Sequence, residues 1–175
     1  MTDYRVINNH TVRLYQHKLI KDCYTVHSNF KKMFPEGDST EYYKYYNVFC
    51  ATAPDPVWYN IFTDLKSIIR EFIGHNNPLW VQSWLNFHQE HEVLDWHNHF
   101  WDYHGYISID PKNSETEFRN YTIKNIPGNI YIGPGNREHR VVVKRSYSDG
   151  PRITLGFDIK DNPSNIYNQM SLIPI

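Results

Sequence analysis

After Pro78 the apolar residues of this chain change period. Up to that point the clearest pattern repeats every three or four residues; beyond it, apolar and polar residues alternate in short runs. Leu79–His88, Val93–His97, His104–Ile109, Glu117–Ile123, Asn129–Ile132, Arg140–Arg145 and Arg152–Ile159 all read as strands. Turn residues separate them densely, as in Asp110-Pro111, Pro127-Gly128, Gly133-Pro134-Gly135-Asn136 and Ser148-Asp149-Gly150-Pro151. Short strands spaced this closely, with no helix between them, fit an antiparallel barrel or jelly roll.

Ahead of this region lies one well-marked helix. Asp55 is an N-cap, Pro56 suits the first helical position, and Gly74 suits the left-handed residue past the end. Trp58, Ile61, Phe62, Leu65, Ile68, Ile69 and Phe72 form a broad apolar stripe, so the helix, about 56–73, should lie against a sheet. Residues 1–50 read as short extended pieces, with Val12–Leu14 and Leu19–Ile20 as weak strands. The Tyr-rich segment Glu41–Phe49 reads as an edge strand or a binding loop, and the tail from Asp161 as irregular. The 175 residues are expected to form one domain, 1–175, with its barrel core at about 79–160. A chain of this size buries roughly 70% of its surface and needs no staples.

Composition excludes several classes of function. With 18 Lys+Arg against 19 Asp+Glu there is no basic excess, so no dedicated nucleic-acid surface is expected. No apolar run is long enough to span a membrane, and the polar start carries no leader-like segment. Cys23 and Cys50 lack metal spacing and fit free thiols in a cytoplasm. What remains is histidine: there are ten, crowded in the middle of the chain.

Trp96-His97-Asn98-His99 is the most informative cluster. Side chains two apart on a strand share a face, so His97 and His99 present two imidazoles side by side. A third from His139, after the Gly133-Pro134-Gly135-Asn136 turn, would complete a facial cap with open positions, as non-haem iron requires. Arg152 and Thr154 also share a strand face. An inward Arg needs an anionic partner, and this cation with a hydroxyl makes a clamp for a ligand carboxylate. His88 and His91 fall in a polar stretch that reads as a solvated hairpin loop, and His104 has no required role.

The order of these segments resembles the 2-oxoglutarate/Fe(II) oxygenases: His-x-His, the strand Gly105-Tyr106-Ile107-Ser108-Ile109, the run Gly128 to Val141 ending around His139, then Pro151 to Ile159. It looks most like the small oxygenases of phage and bacterial genomes, and the likeness spans Leu79 to Ile159. The resemblance implies a mainly β, double-stranded β-helix (jelly-roll, cupin-like) barrel with one major packing helix. It implies Fe(II) on His97, His99 and His139, and 2-oxoglutarate as cosubstrate. Arg152 would pair with the distal carboxylate with help from Thr154, and Asn86 and Tyr106 would face the same cavity. The activity implied is hydroxylation coupled to conversion of 2-oxoglutarate and O2 to succinate and CO2, in the cytoplasm, or the host cytoplasm for a phage protein.

His99 departs from the family pattern, which has a carboxylate there. Asp102 is the alternative third ligand, and Asp95 a residue to orient an imidazole from behind. Two other functions stay open: a three-His cupin-like metalloenzyme that does not use 2-oxoglutarate, and a non-catalytic jelly-roll binding module. The substrate, whether protein side chain, nucleobase or metabolite, is not legible.

Overall fold

In the computed structural model, which describes residues 3–37, 39–90, 92, 94–161 and 170–175, the strands form two antiparallel sheets. In chain order the elements are β1 (Arg5–Asn8), α1 (His10–Leu14), α2 (Gln16–Met33), a 3-10 turn (Tyr43–Tyr45), α3 (Val48–Ala51) and α4 (Pro56–Ile73). Then come β2 (Leu79–His88), β3 (Tyr103–Asp110), β4 (Ser114–Phe118), β5 (Thr122–Lys124), β6 (Asn129–Pro134), β7 (His139–Val143), β8 (Arg152–Asp161) and β9 (Ile173–Pro174). The large sheet runs β1-β6-β3-β8-β2-β9 and the small one β5-β4-β7.

The alternation of β8 explains the layering. Its odd-numbered residues Ile153, Leu155, Phe157 and Ile159 join Leu79, Val81 and Leu85 of β2 and Ile107 and Ile109 of β3 in one core. Leu19 of α2 and Ile61, Leu65 and Ile69 of α4 close that core from the helical side. The even-numbered residues of β8 point the other way, into a cavity between the sheets. Both faces of β2 and β8 are therefore buried, which is why a single strand carries apolar and chemically active residues in strict alternation.

Helix α4 follows its sequence signals to the residue. Asp55 Oδ1 accepts from Val57 N at 2.9 Å and Trp58 N at 3.2 Å, and Gly74 closes the helix at φ 79°. The Asp55 carboxyl is held below its usual range, first by its hydrogen bond to Lys18, whose Nζ lies 2.6 Å away. Asp55→Ala is expected to cost about 1–2 kcal/mol. In a thermal melt that is a fall of the order of 2–8 °C for a chain of this size, and an unchanged midpoint would refute it.

The N-terminal half differs from expectation. Val12–Leu14 and Leu19–Ile20 are not strands but parts of α1 and α2. Helix α2 buries only Leu19, Cys23 and Phe30, a stripe too narrow to stand out from its polar surroundings. There are thus two 18-residue helices, α2 and α4, where one major helix was expected. The Tyr-rich segment forms no edge strand: it holds the 3-10 turn and α3, and the unforeseen β1 pairs with β6. Glu117–Ile123 divides into the end of β4 and the start of β5. Val93 lies outside the described residues, and His97 makes an isolated bridge rather than ending a strand. Most of the tail also lies outside them, but Ile173–Pro174 pairs with β2. Among the described residues no helix is long and apolar enough to cross a membrane.

Candidate metal centre

His97 and His139 meet across an isolated antiparallel bridge. His97 N donates to His139 O at 3.0 Å and His139 N to His97 O at 2.9 Å, which sets their rings 4.2 Å apart. His99 N donates to Gly135 O at 2.8 Å, so the turn before β7 places the second imidazole of the pair as well. One ligand-capable atom from each of His97, His99 and His139 lies within 4.8 Å of the other two.

The hydrogen bonds behind the rings settle their tautomers. His97 Nδ1 lies 2.7 Å from Asp95 O, and His139 Nδ1 lies 3.1 Å from Arg137 O. A carbonyl only accepts, so both Nδ1 atoms carry the proton and both Nε2 lone pairs are left for a metal. His99 Nδ1 is 2.8 Å from Asp158 Oδ1, a contact that puts a carboxylate behind the third ring. Burial lowers the His97 pKa, and burial together with the neighbouring His97 brings His139 to about 3. His97 and His139 are thus neutral imidazoles, the form that ligates, and a set of histidine donors suits iron, zinc, copper or nickel.

Asp158 is the residue that sequence reasoning missed. It is buried on β8, and burial raises its pKa although His99 opposes that. The signal was present: Arg152, Thr154, Gly156 and Asp158 alternate onto one face. The two acids expected near the pair act otherwise. The Asp95 carboxylate is exposed and accepts from Trp96 N at 2.7 Å, and only its main-chain oxygen serves His97. Asp102 is taken up by Lys160 at 3.0 Å and by Asp161 N at 2.9 Å. Asp158→Asn removes the charge behind His99 while keeping the shape, and is expected to weaken metal affinity about 10- to 100-fold. Competition against a chromogenic chelator measures this, and wild-type affinity would show that the carboxylate is idle.

A fourth imidazole belongs to the cluster. His104, on β3, stacks on His99 and His139 with ring centroids 4.5 and 4.6 Å away. It is fully buried, burial holds its pKa well below normal, and its Nε2 has no partner among the described residues. A buried unpartnered nitrogen beside three others fits a bound ion or ordered ligand.

The other end of the cavity is cationic. Arg152 is 4% exposed, and burial lowers its pKa to about 10, which leaves it charged at neutral pH. No carboxylate pairs with it among the described residues; Nη1 lies 3.1 Å from His88 Nδ1, and Nε has no partner there either. His88 is therefore a buried residue at the end of β2 and not part of a solvated loop. His91 lies outside the described residues.

Beside Arg152, a chain of hydrogen bonds has a fixed direction. Trp84 Nε1, which can only donate, reaches Asn86 Oδ1 at 2.9 Å. That orients the amide so that Asn86 Nδ2 donates to Thr154 Oγ1 at 3.3 Å, leaving the Thr154 hydroxyl hydrogen to donate elsewhere. Tyr106 lines the same cavity, with its hydroxyl donating to Asn125 Oδ1 at 3.0 Å. Gly156 makes room for this layer, since a Cβ there would come within 2.7 Å of the Trp84 indole. The cavity holds about 300 Å³, is lined by the histidines and by Arg152, and includes Leu94 and Phe100 in its wall.

No family model matches the sequence, and no curated protein matches it. Solved structures do resemble it in fold. A non-haem α-ketoglutarate-dependent epimerase, SnoN of nogalamycin biosynthesis, superposes with a TM-score of 0.50 over 69% of this chain and 65% of its own, at 9% identity. A cupin superfamily protein from Desulfitobacterium hafniense gives a TM-score of 0.38 at 16% identity, over 53% of this chain and 88% of its own. A cupin-2 domain containing protein from Shewanella frigidimarina gives 0.36 at 18%, over 55% and 90%. The fold is a mainly β jelly roll, and its interior carries a three-histidine group able to hold a metal ion.

Proposed function

We propose that this protein is an Fe(II)- and 2-oxoglutarate-dependent oxygenase that hydroxylates its substrate. The observation that carries the reading is the pairing, in one cavity of about 300 Å³, of three metal-competent imidazoles with a buried arginine that has no anion among the described residues. His97, His99 and His139 hold the metal, and Arg152 with Thr154 holds the distal carboxylate of 2-oxoglutarate. The residues fit both groups: His97 and His139 are neutral with their Nδ1 atoms engaged, His99 has a carboxylate behind it, and the guanidinium is buried with no carboxylate partner among the described residues. Bound iron supplies the redox chemistry that couples 2-oxoglutarate and O2 consumption to hydroxylation.

The protein's own groups do the placing. Asp158 holds the His99 ring and brings one negative charge next to a ligand set that has none. Asn86 acts through Thr154, aiming its hydroxyl. Tyr106, Trp84 and Val141 line the same cavity and give it apolar surface. The volume suits a short dicarboxylate together with the reacting end of a substrate whose bulk lies outside. Protein side chain, nucleobase and metabolite all meet that description.

A second reading has its own support. The three grouped ligand-capable residues are all histidines, a set that also serves metalloenzymes independent of 2-oxoglutarate. Anaerobic addition of Fe(II) and then 2-oxoglutarate to the purified protein separates the two. The first reading gives a visible charge-transfer band and, once oxygen is admitted, succinate. Stoichiometric iron with neither band nor succinate favours the second, and no stoichiometric metal leaves a jelly-roll binding module.

A further inference from the structure

His88 is the partner that Arg152 has in place of a carboxylate, and the chemistry of the pair assigns it a task. The two residues stand opposite each other in the antiparallel register of β2 and β8, and both are buried. Guanidinium offers five N–H donors and no acceptor, so in the 3.1 Å contact the Nδ1 of His88 must be the acceptor. The imidazole is then neutral with its proton on Nε2. Tyr147 donates to the main-chain oxygen of His88 at 2.9 Å and holds this end of β2 in place.

An arginine can grip a carboxylate end-on through Nη1 and Nη2 or side-on through Nε and Nη2. His88 occupies Nη1, while Nε is buried with no partner among the described residues. Resting on the cosubstrate reading above, we infer that His88 is a positioning residue. It commits Nη1 and thereby presents the side-on edge of Arg152, next to the Thr154 hydroxyl, to the distal carboxylate of a 2-oxo dicarboxylic acid. What this adds to the site is selectivity for the second carboxylate, with no contribution to the metal end.

The test compares 2-oxoglutarate with 2-oxopentanoate, which carries a methyl group where the distal carboxylate stands. Each is titrated calorimetrically into the full-length protein, metal-loaded and anaerobic. Wild type prefers 2-oxoglutarate. His88→Leu keeps its metal stoichiometry and its affinity for 2-oxopentanoate, but loses about 10- to 100-fold of that preference. His88→Asn, whose Oδ1 sits where Nδ1 does and accepts in its place, restores most of it. Should the leucine variant fail to fold, His88→Phe makes the same comparison with a ring that cannot accept. Full preference in the leucine or phenylalanine variant, or an asparagine variant that behaves like leucine, overturns the role of His88 alone. No preference in the wild type overturns the cosubstrate reading and this inference with it.

Discussion

Prepared without oxygen and supplied with Fe(II), the His139→Ala variant is expected to hold no stoichiometric iron while its barrel stays folded. The two roles of His139 are separable. Its main chain makes the bridge to His97 through N–H and C=O groups that alanine also has. Its side chain, 6% exposed with Nδ1 held by Arg137 O, offers one of the three grouped ligand-capable atoms and packs against His104 and Phe118. Losing that atom leaves two of the three grouped ligand atoms, too few for a stable facial site. His97→Ala is expected to behave the same way, because its Nδ1 bond to Asp95 O has the same purpose. Metal analysis after gel filtration gives the stoichiometry, and far-UV circular dichroism reports the fold. Iron at the wild-type level in either variant would remove the histidines from the metal centre.

The second large effect belongs to Arg152. Removing one partner of a buried charge pair costs roughly 2–5 kcal/mol, or on the order of 30- to several thousand-fold in affinity. Arg152→Ala is therefore expected to lose 2-oxoglutarate binding and keep its metal, since no histidine of the three-His group touches the guanidinium in the described contacts. Arg152→Lys should fall between, because an ammonium keeps the charge but lacks the fork and places it differently against His88. Titration of 2-oxoglutarate into the anaerobic metal-loaded variants measures this. Equal affinity in wild type and Arg152→Ala would mean that the cosubstrate is held elsewhere or not used, and the metalloenzyme independent of 2-oxoglutarate would take precedence.

Elements with strong local signals were legible in full. Helix α4 and strand β2 have the bounds their sequences imply, the first because Asp55, Pro56 and Gly74 mark its ends, the second because Asn77-Pro78 precedes an unbroken run. Helix α2 was not legible, because Leu19, Cys23 and Phe30 are its only buried residues and their spacing competes with many exposed polar side chains. The 3-10 turn and α3 are short pieces whose form depends on contacts from elsewhere, such as Gln82 Nε2 donating to Tyr46 O at 2.6 Å and Asn47 Nδ2 to Val81 O at 3.0 Å. Local propensity decides little in segments of that length.

By itself the sequence determined which residues share a face. A period of two allows no other arrangement along a strand, so the spacing alone groups Arg152 with Thr154, whereas His97 and His99 lie outside the regular strands and are placed by the bridge to His139 and the bond to Gly135 O. It did not determine which faces meet. That depends on strand order and register, and the order β1-β6-β3-β8-β2-β9 brings β8 between β2 and β3. Only then does His88 fall opposite Arg152, 64 residues away in the chain, and Asp158 opposite His104 and within 2.8 Å of His99. Asp95 and Asp102, nearer in sequence, are turned away because one is exposed and the other is bound to Lys160 and Asp161. Neighbours along a strand follow from covalent geometry, whereas neighbours across a sheet follow from how the whole chain buries its apolar faces.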